Sequence, residues 1–196
     1  MITTLRFINM SAVLYKIELN KLYIASDSII IRGGYVGGVN KKLQHIKGNV
    51  FFGAVGVSDT IQFMIEYLKS NDLPYNPTLT ELRKYFCDAC KLYSETSYES
   101  TKFDVTSFLF IGDEIYMVTL NSEYESKIEI IKMEEEMGGI GWYEMPFGCM
   151  LSGDSPKVAL QRTIPYCNSL AFPIHQIVYD IEKKIILSDI LVDKEL

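Results

Sequence analysis

Short runs of β-branched and aromatic residues fill the first quarter of the chain, and runs of this kind predict β-strands. Gly and Asn residues separate them, and Asn20-Lys21 predicts a tight hairpin between the first two strands. The predicted strands are residues 12–17, 22–25, 29–32 and 50–53.

Two amphipathic helices are predicted next, over residues 57–70 and 78–93, because apolar residues recur there at helical spacing. Ser58 is the predicted N-cap of the first helix. Thr78 and Glu81 form a capping-box pattern at the start of the second. The predicted buried faces consist of Ile61, Met64, Ile65 and Leu68 in the first helix and of Leu82, Tyr85, Phe86 and Ala89 in the second.

The second half of the chain repeats this order of strands followed by helices. Strands are predicted at residues 106–111, 114–120 and 127–132, helices at 155–163 and 173–182, and a closing strand at 185–191. The acidic run of residues 134–136, followed by Gly138-Gly139, predicts a surface insertion.

This order predicts an α+β fold, and in particular a four-layer αββα sandwich of two stacked, mostly antiparallel sheets flanked by helix pairs. An ordinary two-layer α+β fold is the alternative. The length of 196 residues fits a single domain over residues 1–196, with residues 1–10 as an N-terminal extension or propeptide.

Composition narrows the possible functions. A net charge of −6 argues against nucleic acid as the main partner, because phosphate binding requires a basic surface. The first residues lack the apolar run of a signal peptide or membrane span, so we expect a cytoplasmic protein with reduced cysteines. Cys87 and Cys90 form a CxxC pair in a predicted helix and are expected to be small core residues. His45 and His175 have no Cys or Asp at ligand spacing, so neither a metal nor another cofactor is expected.

Four stretches, taken in order, resemble the proteasome β-subunit family of N-terminal-nucleophile hydrolases, and in particular its bacterial members HslV and Anbu. No single stretch is specific, but their order and spacing match the family over nearly the whole chain. The stretches are LYIASDS at residues 22–28, NKKLQHI with NVFFGAVG within residues 40–56, TSFLFIG at residues 106–112 and MLSGD at residues 150–154.

The resemblance implies a nucleophile at the start of the first strand, whose own α-amino group serves as the general base. The family spacing from Asp27 leads back to Ser11, directly after Met10. The family lysine corresponds to Lys42, with Lys41 as the out-of-register alternative, and Asp27 is expected to hold it.

The resemblance also implies supporting groups around the nucleophile. Gly56, at the head of the first helix, is expected to present a backbone N–H to an oxyanion. Ser152 and Gly153 are expected beside the amine of the nucleophile. The second acidic residue of the family falls near Lys183-Lys184, where this sequence is basic.

Two functions remain open at this point. One is a serine-dependent peptidase or amidase that becomes active once Ser11 is freed from the residues before it. The other is a catalytically inactive proteasome-like scaffold or regulatory subunit that binds proteins. The resemblance implies a homo-oligomeric ring or spiral and allows a separate ATPase or protein partner, because this chain carries no nucleotide-binding motif.

Overall fold

The computed structural model describes residues 11–32, 35–39, 41–74, 76–96, 104–121, 127–167 and 170–193. They form two five-stranded sheets, a two-stranded hairpin and four α-helices. The strands are β1 (Ala12–Glu18), β2 (Lys21–Ser26), β3 (Ile29–Arg32), β4 (Tyr35–Val39), β5 (Leu43–Lys47), β6 (Val50–Gly56), β7 (Asp104–Ile111), β8 (Glu114–Asn121), β9 (Lys127–Lys132), β10 (Met137–Gly141), β11 (Ile174–Asp180) and β12 (Ile185–Val192). The helices are α1 (Ser58–Ser70), α2 (Leu79–Thr96), α3 (Glu144–Leu151) and α4 (Pro156–Thr163).

The first sheet has the strand order β10-β1-β2-β11-β12 and is antiparallel throughout. The predicted hairpin joins β1 to β2, with Leu19 and Asn20 at φ values of 50° and 58°. Positive φ at both central residues is the geometry of a tight hairpin turn that follows the twist of its strands. The predicted hairpin is therefore confirmed.

The second sheet has the order β5-β6-β7-β8-β9 and is also antiparallel. The chain leaves β6 directly into α1, which begins at Ser58, and the N-cap position is Val57 rather than the predicted Ser58. At the start of α2 the predicted capping box is confirmed. The Thr78 backbone N–H donates to Glu81 Oε2 at 2.8 Å, and the Glu81 N–H donates to Thr78 Oγ1 at 3.2 Å.

Three clusters of buried apolar side chains hold these elements together. The first joins α1 and α2 to the second sheet and contains both predicted helix faces. The second lies between side chains of the two sheets, among them Tyr15 and Phe51. The third joins α3 and α4 to the first sheet. Each sheet thus buries side chains on both of its faces, and its strands are correspondingly apolar.

In the second half one predicted helix was wrong, one prediction was partly right and one helix was missed. Residues 174–180 form strand β11 instead of a helix, because the run is buried on both faces of the sheet and its spacing suits either element. The acidic run of residues 134–136 is exposed as predicted, but Gly138 and Gly139 belong to β10, which pairs with β1. Helix α3 was not predicted, because Pro146 and Gly148 are poor helix formers.

The predicted burial of both cysteines in α2 was only half right. Cys90 is half-buried, whereas Cys87 is exposed, because the buried stripe of α2 runs through other positions. Burial raises the pKa of the Cys90 thiol to about 11. Among the helices of the described ranges, none is long and apolar enough to cross a membrane.

Candidate active site

Ser11 lies at the position just before β1, next to β10. Its side chain is buried, with the residue only 5% exposed. Its carbonyl oxygen accepts a hydrogen bond from the Trp142 backbone N–H at 2.8 Å, directly after β10 ends. The pairing of β1 with β10 therefore fixes the backbone of Ser11.

Asp27 follows the last residue of β2 and is fully buried. Its Oδ1 accepts a hydrogen bond from the Ala12 backbone N–H at 2.8 Å, and its Oδ2 lies 3.0 Å from Lys42 Nζ. A carboxylate with a backbone donor and a cation is well stabilised in its ionised form. Asp27 therefore links the start of β1 to a residue of the second sheet.

Lys42 precedes β5 in the second sheet, and its ammonium group reaches the start of β1 in the first. Lys42 Nζ lies 2.5 Å from Ser11 Oγ as well as 3.0 Å from Asp27 Oδ2. Its backbone oxygen accepts from the Ala54 N–H at 3.0 Å, which ties it to β6. Lys41, the out-of-register alternative, is exposed. Lys42 is therefore the lysine that contacts Ser11 and Asp27.

The surroundings of Lys42 act on its pKa in opposite directions. Burial lowers the pKa, because an ammonium group loses its hydration, while the charge and hydrogen bond of Asp27 raise it. Burial has the larger effect, so the pKa of Lys42 is below its ordinary value.

Gly141, at the end of β10, lies so close to the Ser11 backbone that only glycine fits there. Its φ is 81°, and a Cβ atom there would lie 1.8 Å from the Ser11 carbonyl oxygen and 3.1 Å from Val55. Gly56 directly follows Val55 at the end of β6 and has a φ of 136°. The ends of β6 and β10 therefore both border the Ser11 position.

Several solved structures match the fold of this chain. Anbu from Pseudomonas aeruginosa, in a helical assembly, matches with a TM-score of 0.71 and 13% identity over 94% of this chain and 88% of that one. Anbu from Yersinia bercovieri, described as an ancestral beta-subunit, has a TM-score of 0.67 and 13% identity over the same shares. Thiobacillus denitrificans BPH, in complex with epoxomicin, has a TM-score of 0.63 and 16% identity over 87% of this chain and 98% of that one.

This chain has the proteasome β-subunit-like fold. The overlap covers nearly the full length of both chains, so the likeness extends to both sheets. No family model and no curated protein matches the sequence. At these identities the likeness establishes the proteasome-like fold and leaves activity to be argued from the site.

Ser152 and Gly153, which were expected beside the amine of Ser11, have no described hydrogen bond to Ser11. They form the exposed turn between α3 and α4, where Ser152 Oγ donates to the Gly148 carbonyl oxygen at 3.1 Å. The described contacts to the Ser11 backbone come instead from Gly141 and Trp142.

Lys183, Lys184 and His175 are the other polar residues that the sequence brought into question. Lys183 and Lys184 lie in the β11–β12 turn, next to Lys21 and at the opposite end of the sheet from Ser11. His175 does have an Asp partner, Asp189, which the sequence spacing did not reveal. No group of three or more potential metal ligands occurs within the part of the chain that the structure describes.

Proposed function

We propose that this chain is an N-terminal-nucleophile peptidase or amidase, in which Ser11 is the nucleophile once residues 1–10 have been removed. The single observation that carries the proposal is the contact of Lys42 Nζ with Ser11 Oγ at 2.5 Å, with buried Asp27 behind the lysine. A cation that both touches a buried hydroxyl and is held by a carboxylate favours a reactive alkoxide.

The proposed reaction needs only groups of this site and water. The free α-amine of Ser11, with an ordinary pKa of about 7.7–8.0, takes the hydroxyl proton as Oγ attacks the substrate carbonyl. The positive charge of Lys42 stabilises the developing oxygen anion of Ser11. The backbone N–H of Gly56 is proposed to stabilise the tetrahedral oxyanion. The amine then gives its proton to the leaving nitrogen, and water releases the acyl group by the same steps in reverse order.

The proposal extends to the architecture and assembly. We propose that the three apolar clusters are the three interfaces of a four-layer αββα sandwich. A cytoplasmic homo-oligomer, as a ring or spiral, agrees with the helical assembly formed by the Anbu of P. aeruginosa. A separate ATPase or protein partner would then deliver the substrate.

A second candidate function is a protein-binding scaffold without catalysis. Edge strand β12 carries four large apolar side chains that are each 45–48% exposed, and an exposed apolar edge is suited to binding another chain. These side chains are Ile185, Leu187, Ile190 and Leu191.

Intact mass and activity measurements separate the two functions. The peptidase function predicts a chain that begins at Ser11 and hydrolyses peptide or acyl amides, with turnover reduced at least about 100-fold in K42M. K16M is the matched control, because Lys16 is also buried on β1 but bonds Glu18 near its other end. An intact chain without hydrolysis, together with a Ser11-initiated chain that is equally inert, would support the scaffold.

A further inference from the structure

A second polar pair, of a buried histidine and an exposed aspartate, lies in the same sheet as the Ser11 site. His175 on β11 is 3% exposed, and its Nε2 lies 2.6 Å from Asp189 Oδ1 on β12. An ionised carboxylate only accepts hydrogen bonds, so His175 Nε2 carries a proton and donates it to Asp189. In the neutral imidazole, Nδ1 is then an acceptor.

The His175 Nδ1 atom and the Ser26 hydroxyl are both buried, and neither has a hydrogen-bond partner among the described residues. Buried polar groups are normally bonded, so two such atoms on neighbouring strands require an explanation. His175 and Ser26 are directly opposed in the antiparallel pairing of β11 with β2. Opposed side chains lie on one face with Cβ atoms about 4.5–5.5 Å apart, which a hydrogen bond or one bridging water can span.

This pair of residues faces the space between the two sheets. Ile24 and Ile177, two residues away on the same strands, belong to the apolar cluster that both sheets share. Side chains two residues apart along a strand share a face, so Ser26 and His175 point to the side from which Lys42 reaches Ser11. Ser26 ends β2, and Asp27 is the next residue.

We propose that His175, oriented by Asp189, is a positioning residue of the Ser11 site and acts through the Ser26 hydroxyl. One bridging water that accepts from the Ser26 hydroxyl and donates to His175 Nδ1 would join the two side chains and restrain Ser26, the residue before Asp27. Asp27 in turn holds Lys42 against Ser11. The catalytic consequence rests on the proposed function, whereas the placement of Asp27 against Lys42 is measurable in a chain without activity.

The test is the titration of the Lys42 side-chain amine by nitrogen NMR, assigned by its loss in K42M. H175Q keeps a donor near the Nε2 position for Asp189 but removes the acceptor for Ser26. H175N keeps an acceptor near the Nδ1 position instead. Because Asp27 raises the pKa of Lys42, H175Q and S26A should each lower that pKa further, by about half a unit. H175N should stay near the wild-type value.

A double variant and a control complete the test. S26A combined with H175Q should shift the Lys42 titration no further than either change alone, because both changes break the same link between His175 and Ser26. H45Q, at the only other histidine of the sequence, should leave it unchanged. An unchanged Lys42 titration in S26A and H175Q, or additive shifts, would overturn the proposal. Should H175Q fail to fold, S26A decides alone, since Ser→Ala removes a single oxygen.

Activity distinguishes this inference from the proposed function. In a hydrolytic Ser11-initiated chain, S26A should lower kcat about threefold at constant KM, in step with the Lys42 shift. If the wild-type chain hydrolyses nothing while S26A still shifts the Lys42 titration, the peptidase function fails and the positioning role stands. If hydrolysis occurs and neither kcat nor the Lys42 titration responds to S26A, the positioning role fails alone.

Discussion

Lys42 is a buried cation between two oxygen atoms of the other sheet, and this placement explains both its pKa and its proposed role. Ser11 Oγ and Asp27 Oδ2 lie 2.5 and 3.0 Å from its Nζ. Replacing one partner of a buried ion pair leaves the other charge uncompensated, whereas replacing both partners leaves no buried charge. The pair is therefore expected to be strongly coupled.

The first prediction concerns this coupling. D27N and K42M should each reduce the free energy of unfolding, because each leaves a buried partner without its counter-charge. The expected loss for D27N is about 3–5 kcal/mol. The double variant should lose clearly less than the sum of the two changes. Urea unfolding of the four proteins measures the coupling energy. Additive losses would show that the two charges do not depend on each other.

The second prediction concerns Gly141. G141A should destabilise the protein by about 3 kcal/mol or more, because an added Cβ meets the Ser11 carbonyl oxygen and φ is positive. G148A is the matched control in helix α3, where an added Cβ meets no atom within 4 Å. That change should stabilise by about 0.5–1 kcal/mol. Equal thermal unfolding of the two variants would contradict the proposed fit at Gly141.

The sequence led to part of this site because some of its residues belong to local patterns. Asp27 follows a recognisable strand and Lys42 precedes another, and the resemblance of these stretches to the proteasome β-subunit family nominated both residues. Gly141 and Trp142 act through a carbonyl contact and a backbone N–H, which no residue pattern displays. The Gly-rich run before an aromatic pair was the available signal, and it was interpreted as an insertion.

At the scale of elements, patterning worked where an element has one buried face. Helices α1 and α2 follow their predicted stripes, because each packs a single side against the second sheet. The hydrophobic pattern did not predict strand β11, because Ile174 packs towards the helices and Ile177 towards the other sheet. A segment buried on both sides has no polar face to show its period.

Strand β10 shows why a glycine-rich segment can still be a strand. A Cβ on Gly138 would lie 2.6 Å from the Tyr15 ring, and one on Gly139 would lie 2.8 Å from Leu14. The neighbouring side chains therefore occupy the space above these glycines. Such close packing depends on a partner strand far away in sequence, so local propensity could not predict it.

The third prediction concerns the start of α2. T78A should cost about 1 kcal/mol of unfolding free energy, because it removes the hydroxyl that accepts the Glu81 N–H. T80A is the matched control, since Thr80 is exposed within the same first turn and Ala is a better helix former. Equal stability of T78A and the wild type in urea unfolding would argue against the capping box.

At the scale of the whole molecule, the two sheets meet through one apolar cluster, and the proposed site lies where Lys42 crosses that boundary. The order of strands and helix pairs let the sequence predict two sheets and helices. It could not predict that β10 pairs with β1 and β11 with β2 in the first sheet, because these pairings join distant segments.

The fourth prediction concerns assembly through the edge strand. Light scattering at micromolar concentration should give a mass that is a multiple of the 22.4 kDa chain. I190K should reduce that mass, because a lysine on an exposed edge opposes pairing with another chain. L19K, in the exposed β1–β2 turn, is the control and should not. A wild-type monomer would contradict the proposed oligomer.

The central claim is that Ser11 is a nucleophile activated by Lys42 and its own amine. The most direct measurement is mass spectrometry of a Ser11-initiated chain after brief reaction with an activated acyl ester. The account predicts one acyl group, mapped by peptide fragmentation to Ser11 and lost in K42M but retained in K16M. No adduct, or an adduct on another residue that K42M leaves unchanged, would contradict it.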